Sequence, residues 1–145
     1  MPLIIRQFTS EHPDFQTCFD IRCAVFVEEQ QVPLEEERDA FDPVGLHFLA
    51  EQDGAPAGTA RVLMKENGAL AKVTRVAVLK SARGQRIGAA LLQHIHATIP
   101  AERFALDAQV QALPFYERLG YAAQGDVFME GNIPHLHMTR AGGRG

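Results

Sequence analysis

The sequence predicts a mixed α/β (α+β) domain: one central, mostly antiparallel sheet flanked by helices. Three observations predict it. Apolar stretches rich in β-branched residues alternate with Asp-Gly and Asn-Gly turn signals. After residue 80 the apolar period changes from that of a strand to that of a helix. The resulting order, β-α-β-β-β-α-β-α-β-β, combines hairpins, whose strands run antiparallel, with strand–helix–strand units.

Each element has its own signal. Leu3 to Phe8 reads as a short strand. Thr9-Ser10 offers an N-cap, and Phe15, Cys18, Phe19, Arg22, Val25 and Phe26 follow at helical spacing, which predicts a helix from about His12 to Glu28. Glu29 to Gly45 contains Pro33, Pro43 and the acids Glu35, Glu36, Glu37, Asp39 and Asp42 without a periodic apolar pattern. It reads as a long loop holding at most one helical turn, and loops of this length are often functional. Leu46 to Glu51 and Gly58 to Met64 form a hairpin across Asp53-Gly54. Glu66-Asn67-Gly68 turns the chain into a third strand, Leu70 to Leu79, rich in valine. Ile87, Leu91, Leu92 and Ile95 predict a helix to about Thr98, closed by Pro100. Arg103 to Gln109 is a strand. Ala112 to Leu119 is a short helix ended by Gly120, and Tyr121 to Glu130 and His135 to Arg140 are the last two strands. Residues 141–145 are expected to fray.

The bulk properties set limits. With 145 residues, the chain is expected to be a single domain over 1–145, without a linker, internal repeat or low-complexity tract. An apolar fraction of 46% and a charged fraction of 22% supply enough apolar surface to offset the entropy of ordering. The formal net charge of −4 and the lack of a Lys/Arg-rich block argue against a nucleic-acid binder, so any phosphate site must be local. Cys18 and Cys23 are five positions apart on the expected helix and point to different sides. That disfavours a disulfide, and without a Cys-x-x-Cys pair zinc is not expected. Residues 1–8 lack a signal-peptide pattern, and no run of about 18 apolar residues occurs. No membrane span and a cytoplasmic location are the expectations.

The strongest chemical signal is a strand, a Gly-containing loop and a helix: Val73 to Leu79, Arg83-Gly84-Gln85-Arg86-Ile87-Gly88, then the helix. A helix start presents unpaired backbone N–H groups and the positive end of its dipole. Gly84 and Gly88 allow close approach of a bulky anion, and Arg83 and Arg86 add charge suited to phosphate. An ordinary strand-to-helix turn with two surface arginines has the same pattern. No Gly-Lys-[Ser/Thr] follows, which excludes a nucleotide P-loop, and the third glycine of a dinucleotide fingerprint is absent.

Val76-Ala77-Val78, Arg83 to Gly88 and Ala90-Leu91-Leu92 together resemble the acetyl-CoA motif of the GNAT superfamily of N-acetyltransferases, Gln/Arg-x-x-Gly-x-Gly/Ala. Arg86 stands where that pattern has its first glycine. Ala112 to Tyr121, read A-L-P-F-Y-E-R-L-G-Y, is similar to a second segment of the same family. Val27-Glu28-Glu29-Gln30-x-Val32-Pro33, Leu106-Asp107-Ala108-Gln109 and Ile133-Pro134-His135-x-x-Met138 resemble the ElaA/YjcF-like branch.

The resemblance implies an acetyl-CoA-dependent N-acetyltransferase acting on a primary amine of a small molecule or peptide, with no metal. It implies a V-shaped opening between the strands Leu70–Leu79 and Arg103–Gln109. Coenzyme contacts are implied at Val76, Ala77, Val78, Arg83, Gly84, Gln85, Arg86, Ile87, Gly88, Gln109 and Tyr116, with an N–H near Val76 on the thioester oxygen. It also implies Tyr116 as the general acid. Many relatives carry a glutamate base on the motif strand, but Lys72 to Arg75 contain no acid. Glu130, His135, Asp107 and Glu28 or Glu29 remain as candidates beside a water chain, Glu130 and His135 flanking the Gly131–Pro134 turn. A non-catalytic acyl-CoA sensor on the same fold is the alternative.

Other features have plainer readings. His135 and His137 share a strand face without an evident third metal ligand. His47 is a core or groove histidine, and His94 and His96 are expected on a helix surface. The acidic loop reads as a solvated face that also steers a cationic acceptor, with Arg22 and Arg75 as partners for some of its acids. A homodimer is compatible with the sequence but not encoded in it.

Overall fold

The computed structural model describes residues 2–143. In chain order it has β1 (Leu3–Phe8), α1 (Phe15–Arg22), α2 (Leu34–Glu37), β2 (Leu46–Gln52), β3 (Ala55–Lys65), β4 (Leu70–Val78), α3 (Ile87–Thr98), β5 (Arg103–Gln109), α4 (Leu113–Arg118), β6 (Ala122–Glu130) and β7 (Ile133–Ala141). The seven strands form one sheet in the order β1-β2-β3-β4-β5-β7-β6. Every neighbouring pair is antiparallel except β4 and β5. The predicted class and the predicted order of elements along the chain therefore hold, but the acidic segment carries two helical turns rather than one, α2 and a 3₁₀ turn over Asp42–Val44. Of the segment expected to fray, Ala141 ends β7, and residues 144 and 145 lie outside the described residues.

Alternation along β2 explains the layering. Phe48 packs with the α3 side chains Ile87, Leu91, Leu92 and Ile95, whereas its neighbour Leu49 joins Cys18, Ile21 and Val25 beneath α1. Successive strand residues face opposite sides, so α1 and α3 cover opposite faces of the sheet. The four buried α3 residues contribute about 1.5–3 kcal/mol each. Gly58 lets this helix sit close. A Cβ there would lie 3.1 Å from the Ala77 carbonyl oxygen and 3.2 Å from both Ile87 and Leu91.

The first helix departs from expectation. It starts at Phe15, its N-cap residue is Asp14 rather than Thr9 or Ser10, and no side chain caps it. After Arg22 it widens into a π turn over Cys23–Glu29. Insertions of this kind often accompany functional sites, and this one brings Glu29 and Gln30 to the front of the sheet. Cys18 is buried and Cys23 partly buried, both as free thiols.

His96 also corrects the surface reading. Its Nε2 lies 2.7 Å from the Tyr121 hydroxyl, and Arg140 Nη1 lies 3.1 Å from its Nδ1. The arginine can only donate, so Nδ1 accepts and Nε2 carries the proton. Burial, with the Arg140 charge, lowers this imidazole to about 4 from its ordinary 6.5. The unfolded chain then binds the extra proton between those values, so the stabilisation is complete above about pH 6.5 and is lost as pH falls toward 4. Urea unfolding at pH 5 is expected to give a stability about 2 kcal/mol below that at pH 8 from this residue alone. His96→Gln should flatten that part of the dependence, and an unchanged slope would remove His96 as its source.

Candidate active site

The site begins where β4 and β5 part. They pair only at Leu70–Arg103, Ala71–Phe104 and Lys72–Ala105, after which the strands diverge. On its other side β4 carries a bulge opposite Ala60, where Arg75 takes the left-handed conformation at φ 55°. Bulges bend a strand and re-aim its residues, often beside active sites. The split leaves backbone of Val73–Val78 without a partner strand on the β5 side.

A cavity of about 670 Å³ fills this split. Its walls come from β4 (Val73 to Val78), β5 (Leu106 to Gln109), the π turn, the acidic segment, α4 through Tyr116, and the β6–β7 turn through Glu130 and His135. Thus Val76, Ala77, Val78, Arg83, Gln109, Tyr116, Glu130 and His135, singled out from sequence across sixty residues, line one space.

Gly84 to Gly88 continue from its Arg83 end. Gly84 and Arg86 both have positive φ, 82° and 63°. Arg86 therefore adopts the conformation that glycine supplies without strain in the family pattern. Its guanidinium is exposed and makes no hydrogen bond to another described residue, and Gln85 is also exposed. Ile87 is 1% exposed, so its side chain belongs to the core and only its backbone can serve a ligand. Gly88 makes room for Phe115, whose Cζ would lie 3.3 Å from an added Cβ. Arg83 is already engaged: its Nε donates to the Val78 carbonyl at 3.1 Å, and its Nη1 and Nη2 grip both Glu29 oxygens.

Tyr116 is half-buried, its ring edge-on to Phe115 and Tyr121. Its hydroxyl makes no hydrogen bond to any described residue. Burial pushes it up to about 12. His135 is 7% exposed and stacks on Phe128. Its Nδ1 lies 2.7 Å from the Ile133 carbonyl, to which it must donate. In the neutral ring this leaves Nε2 with a free lone pair. Glu130 is exposed at the rim.

Of the remaining candidate bases, Glu29 and Asp107 have partners. Arg83 hydrogen bonds hold the Glu29 carboxyl below its usual range. Burial raises Asp107, but His137 at 2.8 Å and Lys72 at 3.4 Å outweigh it and keep this carboxyl low. Glu28 is not among the cavity-lining residues. His137 is thus tied to Asp107, and no group of three metal-ligating side chains occurs among the described residues.

The acidic segment is not simply a solvated face. Glu37 and Asp42 are buried and Asp39 is half-buried, all turned inward onto Arg22, Arg61 and Arg75. His47 is a core residue, 1% exposed, with Nε2 2.9 Å from the Asp42 carbonyl. Sequence reasoning missed Arg61 and gave Lys72 and Gln30, though both lie in segments it singled out, no role of their own. Arg61 had a visible signal, a charge between Ala60 and Val62 on an otherwise apolar strand. Gln30 bonds the Gln109 side chain at 2.9 Å, joining the π turn to the end of β5.

A sheet parted between two parallel strands, a bulged strand on one wall and a helix N-terminus at the end define an acyltransferase of the GNAT type. The sequence matches the acetyltransferase (GNAT) domain over residues 10–141, and the chain belongs to that family. Within it the chain falls in the ElaA/YjcF branch. It is 36% identical over 126 residues to the uncharacterised N-acetyltransferase YjcF of Bacillus subtilis strain 168, covering 84% of this chain and 89% of the relative. It is 30% identical over 126 residues to protein ElaA of Escherichia coli K12, covering 83% and 82%. The ElaA crystal structure superposes with a TM-score of 0.80 at 24% identity over 96% of this chain and 99% of that one. An acyl-CoA N-acyltransferase from Pseudomonas aeruginosa has a TM-score of 0.79 at 27% identity over 97% and 100%.

Proposed function

We propose that this protein transfers the acetyl group of acetyl-CoA to a primary amine by direct attack of the amine nitrogen on the thioester carbon. The observation that carries this reading is the Tyr116 hydroxyl in the same cavity as the split β4 strand and the His135 Nε2, neither of them hydrogen-bonded to any described residue. The co-substrate supplies an activated acetyl thioester, and the chain's own groups do the rest. Backbone N–H groups from Gly84 to Gly88, with the Arg86 guanidinium, hold the diphosphate at the mouth of α3. Val76 and Val78 pair with the pantetheine arm along the open side of β4, and Gln109 borders it from β5. The Val76 N–H donates to the thioester oxygen, where one donor is worth roughly 10²–10³ in rate.

His135 Nε2 takes the proton from the attacking amine, with Glu130 at the rim as the alternative acceptor. Tyr116 gives its proton to the departing thiolate. One C–N bond forms and one C–S bond breaks. An ammonium acceptor loses one proton to solvent before attack, and the proton that His135 takes from nitrogen returns through solvent to the Tyr116 phenolate, so the net transfer is one proton from the neutral amine to sulfur. A glutamate on β4 is unnecessary if the base arrives from the β6–β7 turn. The acceptor is a small-molecule or peptide amine. Glu37 and Asp39 are neutralised by arginines, which leaves Glu36 and Glu130 as the cavity-lining carboxylates without an ion-pair partner among the described residues. These two attract a cationic acceptor.

Thiol release from acetyl-CoA across a panel of primary amines tests the reaction. Turnover with at least one amine is expected, whereas tight coenzyme binding with none would favour the non-catalytic sensor. Calorimetry tests the loop. Arg86→Ala is expected to weaken coenzyme A binding about 5–20-fold and to flatten its salt dependence, because the exposed guanidinium is free to meet phosphate. Unchanged affinity would move the diphosphate away from Arg86.

A further inference from the structure

Six charged side chains close into a ring beside the cavity. Arg22 bonds Glu37 at 2.7 Å and Asp42 at 2.8 Å. Asp42 accepts from Arg61 at 2.9 Å, and Arg61 donates to Asp39 at 2.6 Å. Asp39 accepts from Arg75 at 3.1 Å, and Arg75 returns to Glu37 at 2.9 Å. Three cations and three anions alternate, so the ring is formally neutral. It joins α1, the acidic segment, β3 and the β4 bulge.

The buried side of the ring is made of Arg22, Glu37, Asp42 and Arg61, all but sealed from solvent. Arg75 and Asp39 form its open side, each with 23% of the side chain exposed. Buried ion rings are a poor means of gaining stability, since apolar residues of equal volume serve as well. What they add is direction: each guanidinium fork fixes its partner at defined angles. The member under strain is Arg75. It takes a left-handed conformation at φ 55°, disfavoured for a side chain, immediately before Val76. Its guanidinium spans Glu37, Asp39 and the Glu36 carbonyl, three anchors outside the strand.

We infer that Arg75 is a positioning residue for acyl transfer: gripped by the charge ring, it holds the β4 bulge so that the Val76 amide faces the thioester oxygen. The inference rests on the acyl-transfer reading above. It explains why a strained arginine occupies a bulge that glycine would form without strain. It also gives the acidic segment a task other than steering, because three of its carboxylates set the wall of the reaction cavity.

The test uses the full chain with acetyl-CoA and whichever panel amine the wild type acetylates fastest. Arg75→Lys keeps the charge but loses the fork, and Asp39→Asn alters a ring partner far in sequence from the bulge. Each is expected to lower kcat at least about 10-fold, with coenzyme A affinity changed less than about 3-fold, because the diphosphate loop lies beyond the bulge. Asp39→Asn should also shift the Val76 and Ala77 amide resonances of the coenzyme-bound protein. A melting temperature that falls while kcat stays within 2-fold of wild type would make the ring merely structural and overturn the inference. If the wild type binds coenzyme A but acetylates nothing, the acyl-transfer reading fails first. The amide spectra then still decide the role of the ring, and unmoved Val76 and Ala77 resonances in Asp39→Asn overturn it.

Discussion

Replacing Tyr116 by phenylalanine is expected to lower kcat for acetyl transfer about 10²–10³-fold while leaving coenzyme A affinity within about 3-fold of wild type. The geometry makes this substitution unusually clean. The hydroxyl has no hydrogen-bond partner among the described residues, so removing it orphans no donor or acceptor there, and the ring contacts with Phe115 and Tyr121 remain. Stability should therefore change little. The effect falls on the leaving group. A thiolate expelled into a half-buried cavity needs a proton at the moment it leaves. Tyr116, raised to about 12 by burial, is fully protonated at neutral pH and so holds a proton to give, although the same burial makes it a weaker acid and requires its phenolate to be reprotonated promptly. A general acid of this kind contributes 10²–10⁴ in rate, and a water in its place recovers part of that. Steady-state kinetics with calorimetry of coenzyme A checks both halves. A kcat equal to wild type would remove Tyr116 from the chemistry and leave it as a wall residue.

The sheet was legible because its signals are local. Asp53-Gly54 and the Glu66-Asn67-Gly68 turn mark the hairpin ends, and both Asp53 and Asn67 adopt the positive φ that such turns require. The α3 helix was legible from Ile87, Leu91, Leu92 and Ile95, one face at period 3.6. The π turn was not, because one extra residue per turn leaves the apolar spacing of Val25 and Phe26 close to that of a regular helix. The cavity was half legible. Motif residues on β4, the α3 loop and α4 could be placed because each sits on an element with its own pattern. The charge ring could not be closed, since Asp42 and Arg61 are 19 residues apart and the burial that pairs them is a tertiary fact. Read along the chain, an acid-rich loop resembles a solvated face; only the guanidiniums beneath it, two buried and one half-buried, distinguish this one. His96 was misread for the same reason, its partner Arg140 lying 44 residues away.

Those guanidiniums give the second large expected effect: Arg22→Ala should destabilise the fold by about 3–5 kcal/mol. Arg22 is 1% exposed and donates to Glu37, Asp42 and the Glu37 carbonyl. Without it the ring opens into two arginines and three acids, leaving one net negative charge under α1 where water cannot reach. Arg22→Met, which keeps most of the side-chain volume, should lose nearly as much, separating the missing charge from an empty space. For a chain of this length the loss corresponds to a melting temperature lower by about 10–15 °C. Acid sensitivity should change with it. Burial raises Asp42, but its bonds to Arg22 and Arg61 prevail and hold it below the ordinary 3.8. The stabilisation from that shift is present above about pH 4 and lost as pH falls below it, because the unfolded chain then binds the proton first. With one arginine gone, the Asp42 carboxyl rises, and acid unfolding should begin at a higher pH than in the wild type. Urea and acid titrations followed by circular dichroism measure both. A loss below about 1 kcal/mol with an unmoved acid midpoint would mean that water or a rearranged side chain replaces Arg22, and the ring would then be too soft to orient the bulge that it touches.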